Sequence, residues 1–137
     1  MTRATLLAVG MLGVLTVSLA RAQTPADMLA RYDREARQAN AAFQGFSAAR
    51  GEQFFRARHG GEWSCSSCHT ESPVQTGRHA RTGKSIAPLA PAAEGRRFSD
   101  GAKVEKWFKR NCNDVLSRAC TAAEKGDVLT WLTSLRK

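Results

Sequence analysis

The chain has 137 residues and carries 21 lysines and arginines against 12 aspartates and glutamates, a formal net charge of +9. This length suits one domain and is too short for two hydrophobic cores of ordinary size. A hydrophobic fraction of 42% with only 24% charged residues excludes a wholly disordered chain.

Residues 1–22 have the layout of a secretory signal peptide. Arg3 gives a positive start, residues 4–20 form a mostly apolar run, and an Ala-Arg-Ala cleavage site ends at Ala22. We expect cleavage after Ala22, a periplasmic location, and a mature domain of residues 23–137 with no stable membrane insertion. An uncleaved anchor is the alternative, since the apolar run is at the lower limit for a spanning helix.

Four helices and no strand are predicted in the remaining chain. The first begins at Thr24, an N-cap followed by proline at the first helical position, and extends to about Ala42. Ser47 caps the second helix, which ends near residues 59–61. Residues 71–98 are predicted to be a long loop, and a loop of this length needs something to wrap around.

The last two helices are predicted from their caps and their apolar spacing. The third begins at Ser99-Asp100, and the fourth begins at Thr121 in a capping box with Glu124. One face of the third helix is predicted to carry residues spaced i, i+3, i+4 and i+7, namely Val104, Trp107, Phe108 and Asn111. The fourth helix carries the apolar residues Val128, Leu129, Trp131, Leu132 and Leu135. The domain is therefore predicted to be all-α.

The sequence Cys65-Ser-Ser-Cys68-His69 is the strongest chemical signal. Two thiols at this spacing can add to the two vinyl groups of haem, and the adjacent histidine can bind the iron from one side. A thioredoxin-type dithiol would follow a strand, a zinc site would need two more ligands at metal spacing, and a plain disulfide would leave the histidine without a role. The motif predicts one covalently attached haem c with His69 as the proximal ligand.

The other two cysteines, Cys112 and Cys120, are predicted to form a disulfide across the turn between the last two helices, because an exported protein meets an oxidising compartment. Closing so short a ring contributes about 2.5 kcal/mol by loop entropy. Two buried free thiols are the alternative.

The motif does not define the ligand on the other side of the iron. No methionine follows His69, and Met28 lies far upstream on the first helix, so a methionine ligand is not expected. His59 and His79 are alternatives that are predicted to be exposed. Lysines 103, 106 and 109 would first have to lose a proton.

Asn111 is the odd polar residue on the apolar face of the third helix. Asparagine is favoured near helix ends, so an ordinary helix C-cap is one interpretation of this residue. A buried amide needs a partner, and a haem iron would provide one. The pattern alone leaves both interpretations open.

Several segments resemble known haem proteins. Gly51-x-x-x-Phe55, the haem motif and the Val-Leu-Thr-Trp-Leu run at residues 128–132 resemble class I cytochromes c. Lys-Trp-Phe-Lys-Arg-Asn-Cys-Asn at residues 106–113, with Cys-Thr-Ala-x-Glu-Lys-Gly-Asp at 120–127, resembles the sphaeroides haem protein (SHP) family. That family consists of monohaem, oxygen-binding class I cytochromes c with an asparagine as sixth ligand and a disulfide beside it.

The resemblance implies a class I cytochrome c fold with four helices around one covalently bound haem. It also implies that an asparagine near position 111 binds ferric iron and dissociates on reduction, which allows O2, NO or CO to bind. Asn111 and Asn113 both lie in the matching run. Helical phase selects Asn111, because it shares the face of Trp107 and Phe108.

The positive charge predicts an acidic redox partner, which the resemblance suggests is a dihaem c-type cytochrome. Nucleic acid is not expected, because an exported haem protein has no such partner at hand. Haem propionates would offset part of the charge, through the loop residues Arg78, Arg81, Lys84, Arg96 and Arg97. Two alternatives stay open: an electron carrier with two strong ligands such as His69 and His79, and an enzyme that processes oxygen or nitric oxide.

Overall fold

The computed structural model describes residues 23–137, and the predicted signal peptide lies outside them. This part of the chain contains five helices: α1 (Pro25–Ala39), α2 (Ala48–Arg56), α3 (Ser66–His69), α4 (Gly101–Leu116) and α5 (Ala122–Ser134). Strands β1 (Gly77–Arg78) and β2 (Ser85–Ile86) pair antiparallel, with Gly77 opposite Ile86. The mostly helical class is as predicted. None of the helices between residues 23 and 137 is long and apolar enough to cross a membrane.

The four long helices begin at the caps that the sequence predicts. In each case the capping side chain accepts a hydrogen bond from the backbone N–H three residues later, which satisfies a donor that has no partner within the helix. These caps are Thr24, Ser47, Asp100 and Thr121. The helix starts are therefore encoded locally.

The first two helices end earlier than predicted. α1 ends at Ala39 rather than Ala42, because Asn40 is extended and its side-chain oxygen accepts the N–H of Ala42 at 3.0 Å. Such a local bond competes with helix continuation. α2 ends at Arg56, and the His59 Nε2 lies 2.8 Å from the Phe54 carbonyl that another helical turn would use.

Two elements in the middle of the chain were not predicted: helix α3 and the β1–β2 hairpin. The prediction of an unbroken loop without strands is wrong for residues 77–86. The His79 N–H donates to the Lys84 carbonyl at 2.8 Å, and Gly83 turns the chain with a φ of +68°. Two-residue strands are too short to show the alternation that identifies a strand in a sequence.

α5 is the centre of the fold and packs against α1 and α2. A Cβ on Gly51 would lie 2.0 Å from the Asp127 backbone oxygen, so glycine permits the close crossing of α2 and α5. Next to the crossing, the Phe55 and Trp131 rings lie 4.9 Å apart. The buried core consists of Met28, Tyr32, Phe55, Phe98, Val104, Val128, Leu129, Trp131 and Leu132.

The predicted apolar face of α4 is wrong for Trp107, which is 46% exposed. The buried residues of α4 are Gly101, Val104 and Cys112. At roughly 100° of rotation per residue, Trp107 lies about 100° from the middle of that buried face. Its ring instead lies under the Arg110 guanidinium, 5.6 Å from the ring centre.

Candidate functional site

The haem motif is held by a local network of serine hydroxyls. Ser64 Oγ accepts the Ser67 N–H at 3.2 Å, and Ser67 Oγ accepts the Ser64 N–H at 3.0 Å. The Cys65 carbonyl then accepts the N–H groups of Cys68 and His69 at 3.3 and 3.1 Å. This single helical turn brings Cys65, Cys68 and His69 together, and both thiols are free and half-buried.

His69 has the state that an iron ligand requires. Burial lowers the pKa of His69 to about 4, with a further contribution from the positive charge of Arg97, so the imidazole is neutral at physiological pH. Its Nδ1 is buried and has no hydrogen-bond partner among residues 23–137. Burial also raises the pKa of the Cys65 thiol to about 11. A neutral ring with an unsatisfied nitrogen suits metal ligation better than an ordinary core position.

The β1–β2 hairpin closes over the motif. A Cβ on Gly77 would lie 2.1 Å from the Cys68 carbonyl oxygen, and the Ala80 N–H points to Cys68 Sγ at 3.2 Å. Sequence reasoning missed Gly77, because a glycine in a loop gives no sign of the backbone that it will meet. The contact places the hairpin directly against a cysteine of the motif.

Arg97 holds the loop that follows the hairpin through hydrogen bonds to its backbone. Its guanidinium donates to the carbonyls of Pro88 and Ala87 at 2.7 and 2.8 Å. Arg97 is also a candidate for a haem propionate, and in this structure its guanidinium is bound to the loop's own backbone. Arg97 therefore fixes the chain that passes near His69.

Asn111 lies inside α4 and is half-buried. The helix continues to Leu116, where Ser117 is the C-cap in the left-handed conformation, so the C-cap interpretation of Asn111 is wrong. The Asn111 amide makes no side-chain hydrogen bond within residues 23–137. Asn113, the other asparagine of the run, is exposed.

The helix that carries Asn111 is attached on both sides of this residue. Towards the N-terminus, Glu105 accepts hydrogen bonds from Arg31 Nη2 at 2.5 Å, from the Tyr32 hydroxyl and from Lys125 Nζ at 2.9 Å. On the other side, Cys112 and Cys120 form a disulfide with a Cα–Cα distance of 5.6 Å. α4 is therefore tied to both α1 and α5.

Of the alternative ligands, Met28 lies in the core, the two histidines make contacts of their own, and the three lysines lie at the surface. Met28 is 1% exposed in the core. The His59 ring packs on Phe54 at 4.4 Å between ring centres, and His79 Nδ1 accepts the Thr82 N–H at 3.2 Å. Lysines 103, 106 and 109 are exposed.

The residues that are present fit a covalently bound haem. Two free thiols flank one turn of helix, next to a neutral imidazole whose buried nitrogen lacks a partner. These are the donors that thioether attachment and axial ligation need.

Comparisons with known proteins agree with this donor set. Residues 41–132 match a family described as a domain of unknown function, DUF1924. Cytochrome c-type protein SHP of Cereibacter sphaeroides is 42% identical over 121 residues, covering 85% of this chain and 88% of SHP. The structure of oxidized SHP, an oxygen binding cytochrome c, matches with a TM-score of 0.74 and 42% identity, covering 83% of this chain and 99% of that one.

A second relative has a known solution structure. Cytochrome c'' of Methylophilus methylotrophus, studied for the structural basis of haem-ligand detachment, matches with a TM-score of 0.73 and 34% identity. The match covers 82% of this chain and 94% of cytochrome c''. The predicted resemblance to SHP is confirmed, and both relatives imply haem c as the cofactor. This chain therefore belongs to the family of c-type cytochromes that includes SHP and cytochrome c''.

Proposed function

We propose that this chain is a periplasmic monohaem cytochrome in which Asn111 ligates ferric iron and leaves it on reduction, so that O2, NO or CO can bind. The observation that carries the proposal is the state of Asn111: a half-buried amide, within a helix, with no hydrogen bond in the described part of the chain. Support also comes from SHP, which is an oxygen-binding cytochrome c, and from the haem-ligand detachment studied in cytochrome c''.

In this proposal each residue of the motif has one role. Cys65 Sγ and Cys68 Sγ would hold the haem through thioethers, and a ring nitrogen of His69 would ligate its iron. When bound, the haem would supply a redox-active iron that in the ferrous state has affinity for diatomic gases. The low pKa of His69, which burial causes, keeps its imidazole available without the loss of a proton.

Asn111 acts as the redox-dependent ligand because a carboxamide oxygen is a hard, neutral and weak donor. Ferric iron accepts such a donor, whereas the softer ferrous ion holds it poorly. Attachment of α4 at Glu105 and at Cys112 limits movement of the helix backbone between them. With the backbone held, the Asn111 side chain would be the part that moves, and its amide N–H groups would be available to donate a hydrogen bond to a bound gas.

Absorption spectra of the holoprotein test the proposal, in the ferric form, the ferrous form and the ferrous form with CO. We expect wild type to become high-spin on reduction and to bind CO. The Asn111→Ala variant should be high-spin already in the ferric form, because it lacks the sixth ligand. Asn113→Ala is the matched control and should behave as wild type.

Two results would overturn this assignment. A ferrous protein that stays low-spin and does not bind CO would be an electron carrier with two strong ligands. An Asn111→Ala variant with the wild-type ferric spectrum would move the sixth ligand to another residue.

A further inference from the structure

We infer that the hairpin of residues 77–86 is the docking surface for the acidic face of a redox protein. The inference rests on the proposed function, because it assigns the hairpin to the side of the molecule where Cys68 would hold the haem. It specifies where electrons enter or leave, which the ligand assignment does not.

The hairpin carries positive charge that no carboxylate within residues 23–137 neutralises. Arg78, Arg81 and Lys84 are exposed, and none of them forms an ion pair with any residue between 23 and 137. No aspartate or glutamate occurs in residues 72–93. Six arginines elsewhere do pair with carboxylates, namely Arg31, Arg37, Arg50, Arg56, Arg110 and Arg118. A cluster of unpaired charges attracts an opposite charge over long range.

Contacts within the hairpin and with the rest of the domain hold the two arginines in place. The Arg81 guanidinium lies 5.1 Å from the centre of the Trp63 ring, and Arg78 Nη1 donates to the Gly83 carbonyl at 3.1 Å. The Ala80 N–H contacts Cys68 Sγ at 3.2 Å. An acidic protein bound to the hairpin would therefore lie next to the sulfur that anchors the haem.

The chemistry of the hairpin favours a protein over a lipid surface. The one large apolar residue of the hairpin is Ile86, and it is half-buried rather than exposed as a bilayer anchor. Peripheral membrane segments combine positive charge with such apolar anchors. Charge without an apolar anchor suits a transient, salt-sensitive encounter between redox proteins.

Electron-transfer rates with small charged oxidants test the inference. Reduced holoprotein is mixed without air with anionic ferricyanide or with the cationic tris(phenanthroline)cobalt(III). In each case one electron passes from the protein to the oxidant, and no bond forms or breaks. The test variant is Arg78→Gln/Arg81→Gln/Lys84→Gln. The control, Arg34→Gln/Arg136→Gln/Lys137→Gln, removes the same charge from α1 and the C-terminus.

We expect the hairpin variant to react with ferricyanide roughly three- to tenfold more slowly at low salt, with the difference vanishing at high salt. The control variant and the reaction with the cobalt complex should change much less. Poly-L-glutamate should slow the ferricyanide reaction of wild type and not that of the hairpin variant. Arg78→Lys/Arg81→Lys keeps the charge and should react as wild type.

Equal slowing of the hairpin and control variants would overturn the inference, because it would reflect net charge alone. Binding to phosphatidylserine vesicles that is lost in the hairpin variant, without any protection by polyglutamate, would assign the surface to a membrane and overturn it as well. The ferrous CO spectrum of each variant is recorded in parallel. A failure of the Asn111 assignment appears there, independently of the rates.

Discussion

Gly51 permits the close crossing of α2 and α5. The carbonyl of Asp127 on α5 occupies the space that a side chain at position 51 would need. The Asp127 carboxylate, 6% exposed, accepts the Ser47 N–H at 2.6 Å and pairs with Arg50 at 2.8 Å, so it joins the first turn of α2 to α5. The crossing of α2 and α5, which positions Phe55 beside the haem motif, thus depends on the absence of a Cβ at position 51.

Gly51→Ala should lower the free energy of unfolding by about 1–3 kcal/mol, because backbone atoms on both sides must move. Thermal or urea unfolding of the holoprotein measures this. Gly95→Ala is the control, since a Cβ there meets nothing within 4 Å. Equal stabilities of the two variants would contradict the close crossing.

The sequence predicts the structural position of some residues better than that of others. The spacing of Cys65, Cys68 and His69 carries its own chemistry, and one turn of helix brings them together whatever the rest of the fold. Helical phase selected Asn111 over Asn113 but wrongly put Trp107 in the core. The phase gives relative angles around α4, whereas tertiary contacts set which angle faces inward.

α4 depends on polar contacts that cross three helices. Burial alone would raise the pKa of Glu105, but the hydrogen bond from Tyr32 and the interactions with Lys125 and Arg31 hold it below the ordinary value of 4.5. Because this folded-state pKa lies below that of the unfolded chain, the stabilisation is present above about pH 4.5. It is lost as the pH falls through the folded-state pKa.

Glu105→Gln should lower Tm near pH 7 by roughly 3–6 °C and weaken the fall of Tm below pH 4.5. Circular dichroism melts between pH 3 and 7 measure both effects. The exposed Glu62 provides the control, since Glu62→Gln should keep the wild-type acid dependence. An unchanged acid dependence in Glu105→Gln would show that the carboxylate does not hold α4.

The long helices were predictable because their caps are local. Thr24, Ser47, Asp100 and Thr121 each act on an amide three residues away, so a short stretch of sequence specifies each start. The hairpin and α3 are short, and the hairpin packs against the Cys68 carbonyl. Elements that are positioned by distant backbone leave little trace in the sequence pattern.

The distribution of charge over the domain follows from where the acidic residues lie and which cations they pair with. Glu105, Asp127 and Glu124 lie in ion pairs on the helices, while the segment between α3 and α4 has few carboxylates. The net charge of +7 on residues 23–137, from 19 lysines and arginines against 12 acidic residues, is therefore unevenly spread. Several arginines of the helices pair with carboxylates, whereas the exposed cations of the hairpin have no carboxylate partner among residues 23–137.

The proposed export and haem attachment predict the mass of the mature protein. Expressed as the full chain in a bacterium that attaches haem c, it should have the denatured mass of residues 23–137 plus one haem. Cys65→Ser/Cys68→Ser should lose the haem mass, because no thioether can form. Cys112→Ser/Cys120→Ser should retain it, and a mass that still includes residues 1–22 would contradict cleavage.

The Cys112–Cys120 bridge also bears on how the chain matures. Its cysteines are eight residues apart, so the ring closes through the turn between α4 and α5 without any distant segment. An oxidant that joins this pair would equally join Cys65 to Cys68, and a joined pair cannot add to vinyl groups. Biogenesis of the proposed protein therefore needs two opposite treatments of its thiols. Cys112 and Cys120 must be oxidised to the disulfide, whereas Cys65 and Cys68 must be kept reduced until the haem is attached.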